Sequence, residues 1–544
     1  MNQKVSLYRT HKDQRIHKEY KTVFSRVPTT KIVLLSILSA LLFSNCVASP
    51  SPSNQPTIKT TPTPTSISTP SPGPLQIDGE IRRPAVAGSW YPDDPEELTS
   101  MVDGFLDAVE PIDGDPIALI VPHAGYPFSG LVAAYGFKQI DGKSYDTAII
   151  IASDHQSPIS NPISVWAEGG FETPLGIVPV DTELAEALIA SDPAITFDKQ
   201  AHINEHPIEI ELPFLQQVCP GCSIVPILMG ASDEDTIRIL AESILSVLPG
   251  KRAVLIASSD LSHYPTFEDA LRIDSATLAS IETGDPVEVQ KTIQVLSRMD
   301  LPNLVTCACG EGPILVIMRV AQGMGADITT ILTYANSGHS PLGDEEQVVG
   351  YGAVMFWHYA APTLTTQQRE RLLELARDAI SNAIQNRQPF YAENEDPALN
   401  RLSGAFVTLK INNELRGCVG HMRGNTPLYQ IVQEMAVAAA TADPRFQPLT
   451  PEELDQISIE ISILSPLRRV NDIRQIEVGT HGVVIYHAGQ QGVLLPQVAV
   501  EGGWDRETFL ESLCEKAGLT PDCWQKNPTI YTFTAVVFGE NEGG

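Results

Sequence analysis

Five short stretches of the chain collect the side chains that bind metals or move protons. They are Pro122-His123-Ala124-Gly125-Tyr126, Asp154-His155, His202-Ile203-Asn204-Glu205-His206-Pro207-Ile208-Glu209, Ser258-Ser259-Asp260-Leu261-Ser262-His263 and Cys307-Ala308-Cys309-Gly310-Glu311-Gly312-Pro313. Two imidazoles and one anionic donor, with coordination positions left open, suit non-haem iron or a neighbouring transition metal. Imidazole accepts iron, copper and zinc, whereas a thiolate favours softer ions. His263 is a candidate acid/base group, because an unperturbed imidazole titrates near neutrality. The blander alternative is a hydrogen bond between Asp260 and His263 that only shapes the loop. His206, beside Glu205, is a candidate catalytic residue that reads equally as pocket wall or as a structural hydrogen-bonding group.

These residues need a scaffold that holds them at one edge. The apolar run Ile117–Val121 reads as a buried strand that stops at Pro122, so His123 falls at its carboxyl end, where ligands collect in open α/β sheets. Further strands are expected at Thr147–Ala152, Ser223–Leu228, Ala253–Ala257, Ile328–Tyr334 and Val348–Phe356. Helices are expected at Pro95–Val109, Gly130–Ile140, Thr182–Ala190, Asp233–Val247, Phe267–Glu282, Pro286–Arg298 and Pro313–Gln322. Their alternation is the pattern of an α/β sheet with helices on both faces. Cys219-Pro220-Gly221-Cys222 has no second such pair to complete a four-thiolate zinc site, and reads as a local bridge or two idle thiols.

Pro84-Ala85-Val86-Ala87-Gly88-Ser89-Trp90-Tyr91-Pro92, together with the motifs around His123, His206, His263 and Cys309, resembles the Memo family, protein B of the AmmeMemoRadiSam system. That family's fold is similar to the class III extradiol dioxygenases, a mixed sheet flanked by helices. The resemblance implies a metal, iron with copper or zinc as alternatives, held by His123, His155 and Cys309. It also implies His263 as proton donor or acceptor, with Asp260 beside it. Cys309 stands where the dioxygenases use a glutamate, and a thiolate there changes the metal's electronics. Glu311 occupies a position more often basic in relatives; it is either a carboxylate ligand or an acidic residue at a helix N-terminus. Tyr126, Trp90 and Tyr91 line the pocket or serve as packing.

Beyond Pro362 the order of elements no longer alternates, which argues for a smaller α+β unit. A helix through Leu372–Ile380, capped by Thr365 or Thr366, precedes strands at Gly404–Ile411 and near Val419. A helix at Pro427–Ala442, a strand at Ile457–Leu464, a hairpin at Val483–Leu495 and a helix at Arg506–Ala517 follow. Leu415-Arg416-Gly417-Cys418-Val419-Gly420, with Asp443-Pro444-Arg445-Phe446 and Gly479-Thr480-His481-Gly482-Val483, resembles the AMMECR-like domain, protein A of the same system. Cys418 is a candidate reactive thiol if Arg416 and His481 lie close enough to favour the thiolate, and otherwise a thiol buried in a strand turn.

The chain of 544 residues is too long for one core. We expect an export signal or lipoprotein-type anchor over 1–46, a Pro/Ser/Thr-rich linker over 47–79, a Memo-like metal-binding domain over 80–360 and an AMMECR-like domain over 363–540. The first segment is basic, then apolar from Ile32 to Phe43, and ends at Ser44-Asn45-Cys46, which resembles a lipobox with departures at Phe43 and Asn45. This implies a membrane-anchored, extracytoplasmic body, with a cytoplasmic location the alternative. A formal charge of −30 argues against nucleic acid as a partner. The expected function is a metal-binding redox protein acting on an unknown small molecule. Its rivals are a zinc-dependent hydrolase and a non-enzymatic metal-binding or interaction module, with a radical-SAM protein of the same system as partner.

Overall fold

The computed structural model describes residues 77–112, 114–156, 161–386, 391–422 and 426–540. The expected anchor, Cys46 and nearly all of the expected linker lie outside them. Among the described residues, no helix is long and apolar enough to cross a membrane.

The first part of the chain carries β1 (Ile81–Arg82), β2 (Pro116–Val121), β3 (Thr147–Ser153), β4 (Ile163–Val165), β5 (Gly170–Thr173), β6 (Gly176–Pro179), β7 (Ile195–Thr196), β8 (Ser223–Met229), β9 (Ala253–Ser258), β10 (Ile328–Asn336) and β11 (Gly350–Trp357). Eight of them form one mixed sheet in the order β10-β11-β2-β9-β3-β8-β4-β7, while β1, β5 and β6 form a small separate sheet. The centre of the large sheet, β2-β9-β3-β8, is parallel, and β10 and β11 run antiparallel at one edge. Central strands such as β3 and β9 are buried along nearly their whole length. Such strands read as unbroken apolar runs because helices cover both faces. Their side chains belong to a single core that extends from Tyr91 to Trp357.

Most expected elements appear with ends shifted by a few residues. The helix expected from Gly130 begins at Tyr126, since Pro127 falls in its first turn, where a fixed φ and a missing N–H do no harm. The helix Pro207–Val218 was not expected. It contains Pro213 and is buried almost throughout, including Glu209 and Glu211, so it shows no amphipathic stripe.

The second part holds β12 (Gly404–Ile411), β13 (Glu414–His421), β14 (Ile457–Leu464), β15 (Arg468–Val470), β16 (Gly482–His487), β17 (Gln490–Leu494), β18 (Thr529–Phe533) and β19 (Ala535–Gly539). They make two antiparallel sheets, β13-β12-β14-β19 and β15-β18-β16-β17. Helices Thr366–Asn386 and Leu428–Thr441 pack on the first through Leu372, Ala376, Ile380, Ile431 and Val432. Helix Arg506–Lys516 packs on the second through Phe509, Leu510 and Leu513. This is the α+β arrangement expected from the sequence. Thr365 is the cap: its hydroxyl accepts the Gln368 N–H at 3.2 Å, and the Gln368 side chain accepts the Thr365 N–H at 3.0 Å. Cys219 is bridged to Cys222, and Cys514 to Cys523.

Candidate metal centre

The site is assembled by three adjacent parallel strands. His123 lies two residues beyond β2, His155 two residues beyond β3, and Ser258 ends β9, which runs between them. Parallel strands deliver their carboxyl ends to one edge, so side chains 135 residues apart, such as those of His123 and Ser258, meet there. Cys309 comes from the loop just before the helix Glu311–Gly323. Gly310 permits the approach: a Cβ at that position would stand 2.6 Å from the Ser259 Cβ. The Gly310 N–H donates to Ser259 Oγ at 2.9 Å, pinning the turn to the end of β9.

Within this frame Cys309 Sγ stands 3.2 Å from His123 Nε2. The ligand atoms of His123, His155 and Cys309 lie within 4.8 Å of one another, a group able to hold a metal ion. Burial drives the Cys309 thiol far above its usual value, and the charge of Asp260 adds to the effect. Burial likewise pushes the His123 imidazole well down, helped by His206, His155 and His263. A neutral thiol and a neutral imidazole therefore face each other, with S–H donating to Nε2. The other nitrogen, Nδ1, then donates to Ser258 Oγ at 2.9 Å, and the Ser258 hydroxyl donates to Glu211 Oε1 at 2.7 Å. This tautomer leaves the Nε2 lone pair aimed at the sulfur, and it places a hydroxyl and a carboxyl behind the ring, as metal-binding histidines require.

The backbone completes the frame. The Asp260 N–H donates to Cys309 Sγ at 3.2 Å, and the Asp260 carboxylate accepts the His123 N–H at 2.9 Å. Burial pushes that carboxyl up to about 7, against the amide bonds from His123 and Ala124 that hold it down. Asp260 is thus bonded to the His123 backbone rather than to His263. His263 is pushed down to about 4, by burial first and then by His155, and its Nε2 is buried without a hydrogen-bond partner. Tyr264, next in the chain, holds a left-handed backbone at φ 68° with its ring exposed, a strained arrangement of the kind found at functional loops.

His206 occupies the N-cap position of the helix Pro207–Val218, is buried, and packs at a tilt against Trp90 with ring centroids 4.4 Å apart. The His206 ring lies 5.0 Å from that of His155 and 5.4 Å from that of His123. Burial pushes it down to about 4, with His155 adding to the shift. Glu205 gives one oxygen to the amides of His155 and Gln156. Its backbone carbonyl is held by Arg82, whose guanidinium also pairs with Glu209. Glu209 accepts in addition from the Ala85 and Val86 amides at 2.7 and 3.0 Å and from the Tyr91 hydroxyl at 2.7 Å. This buried network, which the motifs did not disclose, ties β1 and the segment after it to the loop that carries Glu205 and His206.

Other expected residues stand apart from the donor group. Tyr126 and Tyr91 are packing residues, their hydroxyls bonded to Ile210 O and Glu209. Cys307 is buried, 3.7 Å from Ser297 Oγ, and Glu311 begins its helix as a first-turn acid. In the second part, Cys418 Sγ accepts from Thr408 Oγ1 at 3.3 Å. Neither residue expected to activate it has its cationic or ring nitrogens turned to that task. Arg416 is bound bidentately by Glu453 at 2.8 and 3.0 Å, and His481 Nδ1 accepts the Glu477 N–H. The cations whose charges reach Cys418 are Lys410, Arg445 and Lys516.

The family described as Memo-like protein matches residues 82–355, and the AMMECR1 family matches residues 373–538. A MEMO1 family protein of Methanobrevibacter smithii is 34% identical over 290 residues, which span 51% of this chain and 99% of that protein. One from Methanosarcina mazei is 37% identical over 279 residues, 51% of this chain and 99% of the relative. Among solved structures, an uncharacterised protein of Pyrococcus horikoshii is 38% identical with a TM-score of 0.30, covering 31% of this chain and 90% of that one. The strand-end histidines, the Cys309 turn, the two family matches and the two MEMO1 family relatives lead to one conclusion: the chain belongs to the Memo-like family, with an AMMECR1 segment following the Memo-like one.

Proposed function

We propose that the protein is a metal-binding redox protein acting on a small molecule, with a non-haem ion held by His123, His155 and Cys309. The observation that carries this reading is the meeting, within 4.8 Å, of two imidazoles from beyond the ends of β2 and β3 with the thiol that precedes the helix Glu311–Gly323. The donors fit such an ion: His123 presents Nε2 to the sulfur while Ser258 fixes its other nitrogen. Iron is the ion proposed, with copper or zinc as alternatives, and when bound it would supply electron transfer or oxygen chemistry. The protein's own groups divide the remaining work. Near neutrality His263 is uncharged and its Nε2 has no hydrogen-bond partner, the form in which an imidazole can take a proton from a bound substrate, while Asp260 holds the His123 loop. Trp90 packs against the His206 ring and Tyr264 against the His263 ring.

Metal analysis of the full chain purified without an affinity tag is expected to find stoichiometric metal, lost in His123→Ala. Oxygen uptake with catechols, present in the wild type and abolished in His263→Ala, tests turnover. Retained metal without uptake would favour the second reading, a non-enzymatic metal-binding or interaction module of the AmmeMemoRadiSam system. The sulfur donor at position 309 speaks for that reading. We further propose that the protein is anchored outside the cytoplasm through Cys46, and membrane fractionation of Cys46→Ser tests this. Co-purification from the native host tests a radical-SAM partner.

A further inference from the structure

We propose that His155, Glu205 and His206 form a second cation subsite beside the sulfur-containing one, suited to a harder divalent ion such as ferrous iron or zinc. The ligand atoms of these three residues also lie within 4.8 Å of one another. Glu205 is 3% exposed, and its two oxygens are treated differently. Oε1 is saturated by the amides of His155 and Gln156, whereas Oε2 is buried without a hydrogen-bond partner. A buried carboxylate oxygen left unpaired is costly unless something cationic satisfies it. Oε2 stands 3.6 Å from His155 Nδ1, too far for a hydrogen bond. Two donors bound about 2.1 Å from one ion in tetrahedral geometry stand about 3.4 Å apart, close to the spacing found.

The supports are rigid. His206 is fixed by its N-cap position on the helix Pro207–Val218 and by the Trp90 ring, and the Arg82 guanidinium holds the Glu205 backbone. Two imidazoles and one carboxylate, with open positions, are the donor set of non-haem ferrous sites, in contrast to the softer set containing Cys309. His155 belongs to both sets and lies between them. The inference shares His155 alone with the Cys309 set and does not rest on the reading of Cys309.

Cobalt(II) titration of the full chain separates the two sets, because a thiolate ligand adds a near-ultraviolet charge-transfer band. Cys309→Ser is expected to lose the band yet bind cobalt within tenfold of the wild type. Adding Glu205→Gln and His206→Gln to that variant is expected to weaken binding at least 100-fold. The pair Glu205→Gln and His206→Gln in the wild-type background is expected to keep the band. If Cys309→Ser binds cobalt no better than the triple variant, the second subsite is overturned and the Cys309 reading survives. If the wild type shows no band while the 100-fold difference holds, the Cys309 reading fails and the second subsite stands. Glu205→Gln keeps an acceptor for both amides, and thermal melting checks that each variant is folded. Should the double change unfold, His206→Gln alone on Cys309→Ser is expected to cost at least tenfold, and no loss there overturns the proposal.

Discussion

Metal affinity at the Cys309 set is expected to rise at least tenfold for each pH unit between pH 7.5 and 9. The perturbation is pH alone, and the magnitude follows from where the protons sit. In this range an ordinary imidazole is already neutral, and that of His123 is pushed well below its usual value, so binding takes no proton from it. The Cys309 thiol is driven far up by burial and remains protonated throughout. An ion that takes the sulfur must therefore displace one proton, which competes with it for the same lone pair. Raising the pH weakens the competitor, so affinity increases. The one proton from the sulfur corresponds to about 1.4 kcal/mol per pH unit, or about 30-fold across the interval, and a proton given up by Glu211 adds to it. Zinc titration against a calibrated chelator measures the slope, and an indicator dye in weak buffer counts the proton released. Cys309→Ser should flatten the dependence. A wild-type slope near zero, or the same slope in Cys309→Ser, would refute the reasoning.

Four further outcomes follow from the same packing. Ser258→Ala, made on Glu205→Gln and His206→Gln so that the Cys309 set alone binds, removes the partner of His123 Nδ1 and should weaken zinc binding 10- to 100-fold in the same competition assay, the usual effect of losing a group behind a ligating histidine. Gly310→Ala places a methyl 2.6 Å from the Ser259 Cβ and 3.0 Å from Ser258 O. On the same Glu205→Gln and His206→Gln background it should lower zinc affinity at least tenfold, while destabilising the fold by about 1–3 kcal/mol. Arg82→Met strips the buried Glu209 of its counter-charge and should cost about 3–5 kcal/mol in urea denaturation; a loss under about 1 kcal/mol would mean that Tyr91 and the Ala85 and Val86 amides satisfy the carboxylate by themselves. Replacing Cys514 and Cys523 by serine opens a short bridge of separation 9 and should destabilise its surroundings by about 2.5 kcal/mol, read from the urea midpoint.

What the chain revealed before folding, and what it withheld, divides along physical lines. β3 and β9 were legible because strands covered on both faces become unbroken apolar runs, and each ends in a conspicuous polar loop. The helix Pro207–Val218 was hidden because burial on all sides removes the amphipathic period that betrays most helices, and Pro213 argues against one. His123, His155 and Cys309 could be picked out one by one, but the linear order says nothing of β9 lying between β2 and β3. That placement alone sets Ser258 behind the His123 ring. Glu211 was illegible for a related reason, since a glutamate in a buried helix carries no sign that its partner is a serine 47 residues away. Around Cys418 the neighbouring Arg416 misled, because Glu453 claims its guanidinium and the cations near the thiol come from Lys410, Arg445 and Lys516.

The charge state of the site suggests how an ion would reorganise it. Burial suppresses the cationic form of His123, His206 and His263 and the anionic form of Cys309 and Glu211. Glu205 is the contrast: burial pushes it up, but the nearby His155 ring and the two amide bonds outweigh that and keep it low. A cation approaching this largely neutral cluster thus meets a fixed negative charge beside His155 first. Its own charge then favours thiolate at Cys309 and carboxylate at Glu211, the latter through the Ser258 hydroxyl, so that the line from Glu211 to His123 strengthens only once the ion is held. On this argument Glu211→Gln should spare the metal-free fold and weaken zinc binding, because an amide can accept from Ser258 but cannot gain the charge that the bound ion calls for. Equal zinc affinity in Glu211→Gln and wild type would show that the relay carries geometry and no charge.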